Sequence, residues 1–158
     1  MPSLRALGSP GQSFLTKTSR LGAITGLVAL NFYSALFVDQ LKRGRKTATI
    51  RLGDKSRKYD RGAIVWVTIG FTNSPREKIF SAVIEDVEVK MFKDLSPRDI
   101  EHDNPEFRRL EETAHFLEQI YGRPIAEEDL VTVIRFSQII ERPGSAPQLG
   151  GAQHPSQN

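Results

Sequence analysis

The chain has 158 residues, 26% of them charged, with a formal net charge of +3, three histidines and no cysteine. That is the length of one domain, with enough apolar residues for a single core without covalent staples. The missing cysteine excludes disulfides and thiolate metal sites and fits a reducing, cytoplasmic compartment, and His102, His115 and His154 are too scattered for a metal, so neither metal nor cofactor is expected.

Residues 1–22 carry Arg5, Lys17 and Arg20 with no acid and are rich in serine and glycine. They read as a disordered extension rather than a working transit or secretory signal. Residues 143–158, rich in Gly, Pro, Ser and Gln, read as a disordered tail, which leaves a domain over residues 23–142. The apolar run Ala23 to Phe32 is too short to span a membrane and is broken by Thr25 and Gly26. No membrane partner is expected, and Leu27 to Phe32 reads as the first core strand.

Tyr33 to Arg43 sets Leu36, Phe37 and Leu41 among polar positions, a helical pattern that Gly44 ends. Lys46 to Leu52 follows as a strand. Ala48 and Ile50 take its buried face, so Thr47, Thr49 and Arg51 share the other. Two hydroxyls and a guanidinium in a row suit phosphate, carboxylate or base-edge contacts, although a half-exposed threonine-rich strand has the same pattern. The basic loop Gly53 to Gly62 leads to Ile64 to Ile69, an apolar run typical of a well-covered strand, with Trp66 in the core.

Asn73 to Arg76 is a turn, and Ile79 to Phe92 is a long strand whose alternation changes phase near Glu85. A bulge there lets one strand turn a barrel corner. Ser96, Pro97 and Asp99 have the spacing of N-cap, first helical residue and capping-box acid. A second helix is expected over Pro105 to Tyr121, with Phe107, Leu110, Ala114, Leu117 and Tyr121 on one stripe. Tyr121 reads as a core or lid tyrosine with a satisfied hydroxyl. Gly122 ends that helix, and Val131 to Ile140 is the last strand. The class is α+β: a small β-barrel of about five strands with two to three helices.

Charge is unevenly spread. Lys42 to Arg61 holds nine bases and two acids, a net of +7, whereas Glu85 to Asp129 holds fourteen acids and six bases, a net of −8. The pattern predicts one face that attracts a polyanion and one that repels it; the alternative is two faces that neutralise each other. Tyr59 and Phe71 flank the basic loop, placed either to stack on a base or to pack on the barrel rim.

Six segments carry a resemblance: Leu41 to Arg51, Tyr59-Asp60-Arg61-Gly62, Phe92 to Ser96, Glu101-His102-Asp103, Ile120-Tyr121-Gly122 and Val131 to Phe136. Their order and spacing, from Leu30 to Ile139, resemble the ASCH domain, a small β-barrel of the PUA-like superfamily. The resemblance implies a module that binds RNA or a modified nucleoside, and the basic strand sets the expected place, a cleft between Lys46–Arg51 and the Asp103 loop. Arg43, Arg45, Lys46, Thr47, Arg51, Arg57, Lys58 and Tyr59 are its expected contacts. An interaction adaptor with no ligand of its own is a third reading.

One branch of that family consists of amidohydrolases acting on N4-acetylcytidine. Lys46, Thr49 and Arg51 match its Lys-x-x-Thr-x-Arg arrangement, which implies Thr49 as nucleophile and Lys46 as the base that activates it. Asp103 stands where the branch has a glutamate. A lysine is a base only when neutral, so burial or cations such as Arg43, Arg45 and Arg51 must lower its pKa from about 10.4. In a regular strand Lys46 has the parity of Ala48 and Ile50, not of Thr49. The two meet only if the strand begins after Lys46 or twists at Gly44. His102, beside Asp103, is either a proton shuttle or a solvent-facing loop residue.

Overall fold

The computed structural model describes residues 28–71 and 73–140; the expectations for residues 1–22, for Ala23 to Leu27 and for residues 143–158 lie outside them. Five strands and three helices form, as the class assignment expects: β1 Ala29–Phe32, α1 Leu36–Lys42, β2 Ala48–Leu52, β3 Ile64–Ile69, β4 Glu77–Met91, α2 Pro97–Asp103, α3 Leu110–Tyr121 and β5 Leu130–Gln138. The strands make one mixed sheet in the order β1-β3-β4-β5-β2. Only β1 and β3 run parallel; the other pairs are antiparallel.

The long strand β4 shapes the sheet. Its first part pairs with β3, and its later part pairs with β5. The β4–β5 register slips between Ile84 and Asp86, at the phase change seen near Glu85. The extra residue bends the strand, so one chain serves two walls of a half-barrel. The core divides accordingly. One cluster joins β1, β3, early β4 and α1 through Leu30, Phe37, Leu41, Val67 and Ile84, and a second joins β2, β5 and α3 through Ala48, Ile50, Leu117, Val131 and Val133.

Helix limits follow from local chemistry. The turn Tyr33 to Ala35 precedes α1, where the Ser34 hydroxyl accepts the Leu36 N–H at 3.2 Å. Leu36 is exposed, contrary to expectation, while Phe37 and Leu41 are buried. Gly44, at φ +71°, turns the chain out of α1. Its neighbours Arg45 and Lys46 both donate their N–H to the Gln40 carbonyl, so Lys46 belongs to a helix exit and β2 starts only at Ala48. In α2, Ser96 and Asp99 form the expected capping box behind Pro97.

The third helix starts later than its apolar spacing suggests. Asn104 Oδ1 takes the Glu106 N–H at 3.0 Å and holds a turn there, and Glu112 Oε1 takes the N–H groups of Arg108 and Arg109 at 2.9 Å. The buried residues of α3 are Thr113 and Leu117. Trp66 is not core. Val65 and Val67 face inward on β3, whereas Ile64 and Trp66 face out, with the Lys78 ammonium 5.3 Å from the indole centre.

Part of the acidic stretch is neutralised within the fold. Asp99 is fully buried; its carboxylate accepts the Ser96 N–H and a Lys90 Nζ hydrogen bond at 2.9 Å, and also pairs with Arg135. Arg135 pairs with Asp86 as well, at 3.2 Å. Among the described residues, no helix is long and apolar enough to cross a membrane.

Candidate functional site

Among the described residues, strands β1 and β2 are the two edges of the sheet, and no backbone ladder joins them. A side chain bridges the seam instead: Arg51 Nη2 on β2 donates to the Asn31 carbonyl on β1 at 2.9 Å. A cavity of about 860 Å3 opens there, lined from β1, β2, the basic loop, the Phe71 loop and α3.

Each wall is fixed by hydrogen bonds. Asn31 is buried on β1; its Nδ2 donates to the Gly70 carbonyl at 3.1 Å, and its Oδ1 accepts the Thr68 hydroxyl at 2.7 Å. These bonds hold the chain just before Phe71, a half-exposed ring on the cavity wall. Gly70 permits the approach, because a Cβ there would lie 2.7 Å from Arg76 Cγ and 3.1 Å from its Cα. Arg51 also donates from Nε to Thr49 Oγ1 at 3.0 Å, and its guanidinium lies 5.1 Å from the Phe32 ring centre. Among the described residues, Nη1 has no protein acceptor.

Lys46 is 2% exposed. Its ammonium donates to the Ala48 carbonyl at 3.0 Å, to Asp103 Oδ1 at 2.9 Å and to the Asp103 carbonyl at 2.5 Å. It sits 4.5 Å from the Phe37 ring centre and 5.1 Å from that of Phe32. An ammonium has three protons, and here all three have acceptors. Burial pulls its pKa below the ordinary lysine value; Asp103 opposes that fall and Arg51 adds to it. Of the three arginines expected to supply like charge, only Arg51 acts on it.

Asp103 is the last residue of α2. Its Oδ1 also accepts the Ile50 N–H at 3.1 Å, so the carboxylate pins α2 to β2. The pair of Lys46 and Asp103 is therefore a closed, internally neutral unit in the cavity wall.

The structure gathers Lys46, Thr49, Arg51, Lys58, Tyr59 and Asp103 around one cavity. Lys46 and Thr49 line one cavity although their parity differs, because Lys46 precedes the strand, but none of the three Lys46 bonds goes to Thr49. Tyr59 is buried in the core, its hydroxyl 3.5 Å from the Ala29 carbonyl, so no ring face is open for stacking. Arg43, Arg45, Thr47 and Arg57 do not line the cavity. Arg43 pairs with Asp39 on the surface of α1, and Arg45 and Arg57 are exposed. The N–H of Thr47 donates to the His102 carbonyl, the backbone contact that joins β2 to α2.

Asn31, Phe37, Lys55, Phe116 and Ile120 line the cavity outside the expected set. Lys55 belongs to the basic run, a signal that could have included it. The others follow from the seam, which only the strand order reveals. Tyr121 is a rim residue whose hydroxyl accepts the Leu52 N–H at 3.2 Å.

No protein-family model matches the chain, and no curated protein matches it. Solved structures do. An ASCH domain from Lactobacillus crispatus JV V101 superposes with a TM-score of 0.50 at 17% identity, over 80% of this chain and 89% of that one. The fold is that of an ASCH domain. Protein EF3133 from Enterococcus faecalis V583, assigned to the family DUF984, gives 0.53 at 16% identity over 81% and 91% of the two chains. The hypothetical protein PH0355 gives 0.51 at 20% identity over 72% of this chain and all of that one. At these identities the likeness concerns the half-barrel fold alone, so the chemistry of the seam rests on this chain's own residues.

Proposed function

We propose that this ASCH domain binds an unstacked base of single-stranded RNA, or a modified nucleoside, in the seam between β1 and β2. One observation carries the reading: the cavity combines exposed aromatic faces at Tyr33, Phe71 and Tyr121 with a fixed guanidinium at Arg51 and a basic loop at Lys55 and Lys58. Aromatic platforms beside a positive groove suit single strands, because every base has a face to stack and every linkage a charge to neutralise. A duplex keeps its bases stacked and offers them no entry.

Fluorescence anisotropy with a labelled single-stranded RNA hexamer and its duplex tests the proposal. The single strand should bind more tightly, and Phe71→Ala should cost about 1–3 kcal/mol, the worth of one stacked base. Equal affinity for the duplex, with no effect of Phe71→Ala, refutes it.

A second reading is an amidohydrolase releasing acetate from N4-acetylcytidine or a similar acyl-nucleoside. It is favoured by the common cavity of Lys46, Thr49 and Asp103, and by the Arg51 hydrogen bond to the Thr49 hydroxyl, which would stabilise an alkoxide. Its difficulty is the base. With three acceptors around it, Lys46 must lose a proton and give up one bond before it can take the proton of Thr49. Cytidine release from acetylcytidine, abolished by Thr49→Ala, would establish this reading; no release from the wild-type protein would refute it.

A further inference from the structure

We infer that Arg51, Lys55 and Lys58 form a phosphate subsite, so that the ligand in the seam is a nucleotide rather than an uncharged nucleoside. This rests on the base-binding reading and adds a requirement to it. Four cations and one carboxylate line the cavity. The carboxylate, Asp103, is closed against Lys46 at 2.9 Å. Every other ion pair among the described residues involves groups away from the cavity, namely Arg43, Lys90, Arg123 and Arg135 with their acids. Among the described residues, Arg51, Lys55 and Lys58 are left as three positive charges with no carboxylate within ion-pair distance. A stacked neutral base would account for the aromatic walls and leave that surplus uncompensated.

The loop is also built to hold its cations in place. Thr132 is fully buried on β5; its hydroxyl donates to the Gly53 carbonyl at 2.6 Å and accepts the Lys55 N–H at 2.8 Å. Gly53 has φ +88°, and the Lys55 Cε and Nζ lie 4.0 Å from where its Cβ would stand. The Lys55 side chain thus folds back over its own turn and is half-buried, whereas a solvated lysine extends into water. Lys58, whose ammonium lies 5.4 Å from the Tyr59 ring centre, adds the third charge. A guanidinium and two ammonium groups can give charge-assisted bonds to the non-bridging oxygens of a phosphate, three in a monoester and two in a diester. Thr132 is then a positioning residue, acting through the loop.

Isothermal titration with the four ribonucleosides, their 5′- and 3′-monophosphates, ribose 5-phosphate and a trinucleotide with free 5′-hydroxyl tests the subsite. A monophosphate should bind at least about tenfold more tightly than its nucleoside, the worth of one charge-assisted hydrogen bond. Lys55→Gln/Lys58→Gln should bring the two within about twofold of each other. Thr132→Val should reduce the gain and Thr132→Ser should keep it, with circular dichroism confirming both folds. Tight binding of the trinucleotide supports the subsite with a backbone phosphate as occupant; tight binding of monophosphates alone supports it with a terminal one. Ribose 5-phosphate binding where no nucleoside does would keep the subsite and overturn the base reading. Equal affinity for nucleosides and both monophosphate isomers overturns the subsite and leaves the base reading standing; no binding by any probe overturns both.

Discussion

The pair of Lys46 and Asp103 should behave as one unit whose halves cannot be removed separately. Asp103→Ala takes from the buried ammonium one of its three acceptors, Oδ1, the only charged one, while the carbonyls of residues 48 and 103 stay. It also strips the Ile50 N–H of its partner. Removing one member of a buried ion pair typically costs about 3–5 kcal/mol, and Asp103→Ala belongs in that range. Lys46→Met leaves a carboxylate that keeps the Ile50 N–H and lines an open cavity, so it belongs near the lower end, about 3 kcal/mol. In Lys46→Met/Asp103→Ala no buried charge remains, and the chief loss is one orphaned N–H, about 1–3 kcal/mol. The double variant should therefore be more stable than either single one, or at least far more stable than their sum. Urea unfolding followed by far-ultraviolet circular dichroism at pH 7 measures all four corners of the cycle. Single effects that add to within about 0.5 kcal/mol would refute the coupling.

Other outcomes follow from the same contacts. Burial alone would raise the Asp99 pKa, but the Ser96 N–H, Lys90 and Arg135 together hold it below the ordinary aspartate value. The native state then binds fewer protons than the unfolded chain in acid. The stability Asp99 contributes is full above the unfolded pKa and is lost as pH falls through the native one. Asp99→Asn should lower the melting temperature at pH 7 and flatten its fall in acid; a parallel acid limb would contradict this. RNA affinity should fall with salt through counterion release, and Lys58→Gln should flatten that slope by about one unit. Arg57→Gln, altering an exposed residue off the cavity wall, should leave the slope nearly unchanged. Gly70→Ala should destabilise by about 1–3 kcal/mol, the usual cost of overpacking, and should weaken RNA binding through the displaced Phe71. A melting temperature equal to wild type would show that Arg76 moves aside freely.

What was legible in the sequence was local. The capping box of α2, the glycine exits of α1 and α3 and the bulge near Glu85 each need only a few neighbouring residues, and the bulge was visible because alternation changes phase there. Lys46 was misjudged as a strand residue because two N–H bonds to the Gln40 carbonyl extend the helix exit, and no pattern of hydrophobicity encodes them. Its burial depends on Asp103, 57 positions away in the chain. Trp66 was assigned to the core because Ile64 to Ile69 is apolar on both faces, yet the outer face stays open and Lys78 covers part of the indole. Tyr59 shows the reverse: a polar neighbourhood hid a core residue. Of the seam only the Lys46–Arg51 wall was legible; the β1 wall was not, since the two face each other only because β1 and β2 end at opposite edges of one curled sheet.

If the unclosed seam is the ligand site, RNA must perturb its walls and spare the outer face of the sheet. The most direct test is a titration of isotope-labelled protein with a mixed-sequence single-stranded RNA hexamer, followed by nuclear magnetic resonance. Amide shifts should gather at Asn31, Thr49, Arg51, Lys55 and Phe71, while the indole N–H of Trp66, outside the cavity wall, should not move. Shifts confined to Ile64, Trp66 and Lys78, with the seam unaffected, would contradict the claim and move binding to the outer face of β3.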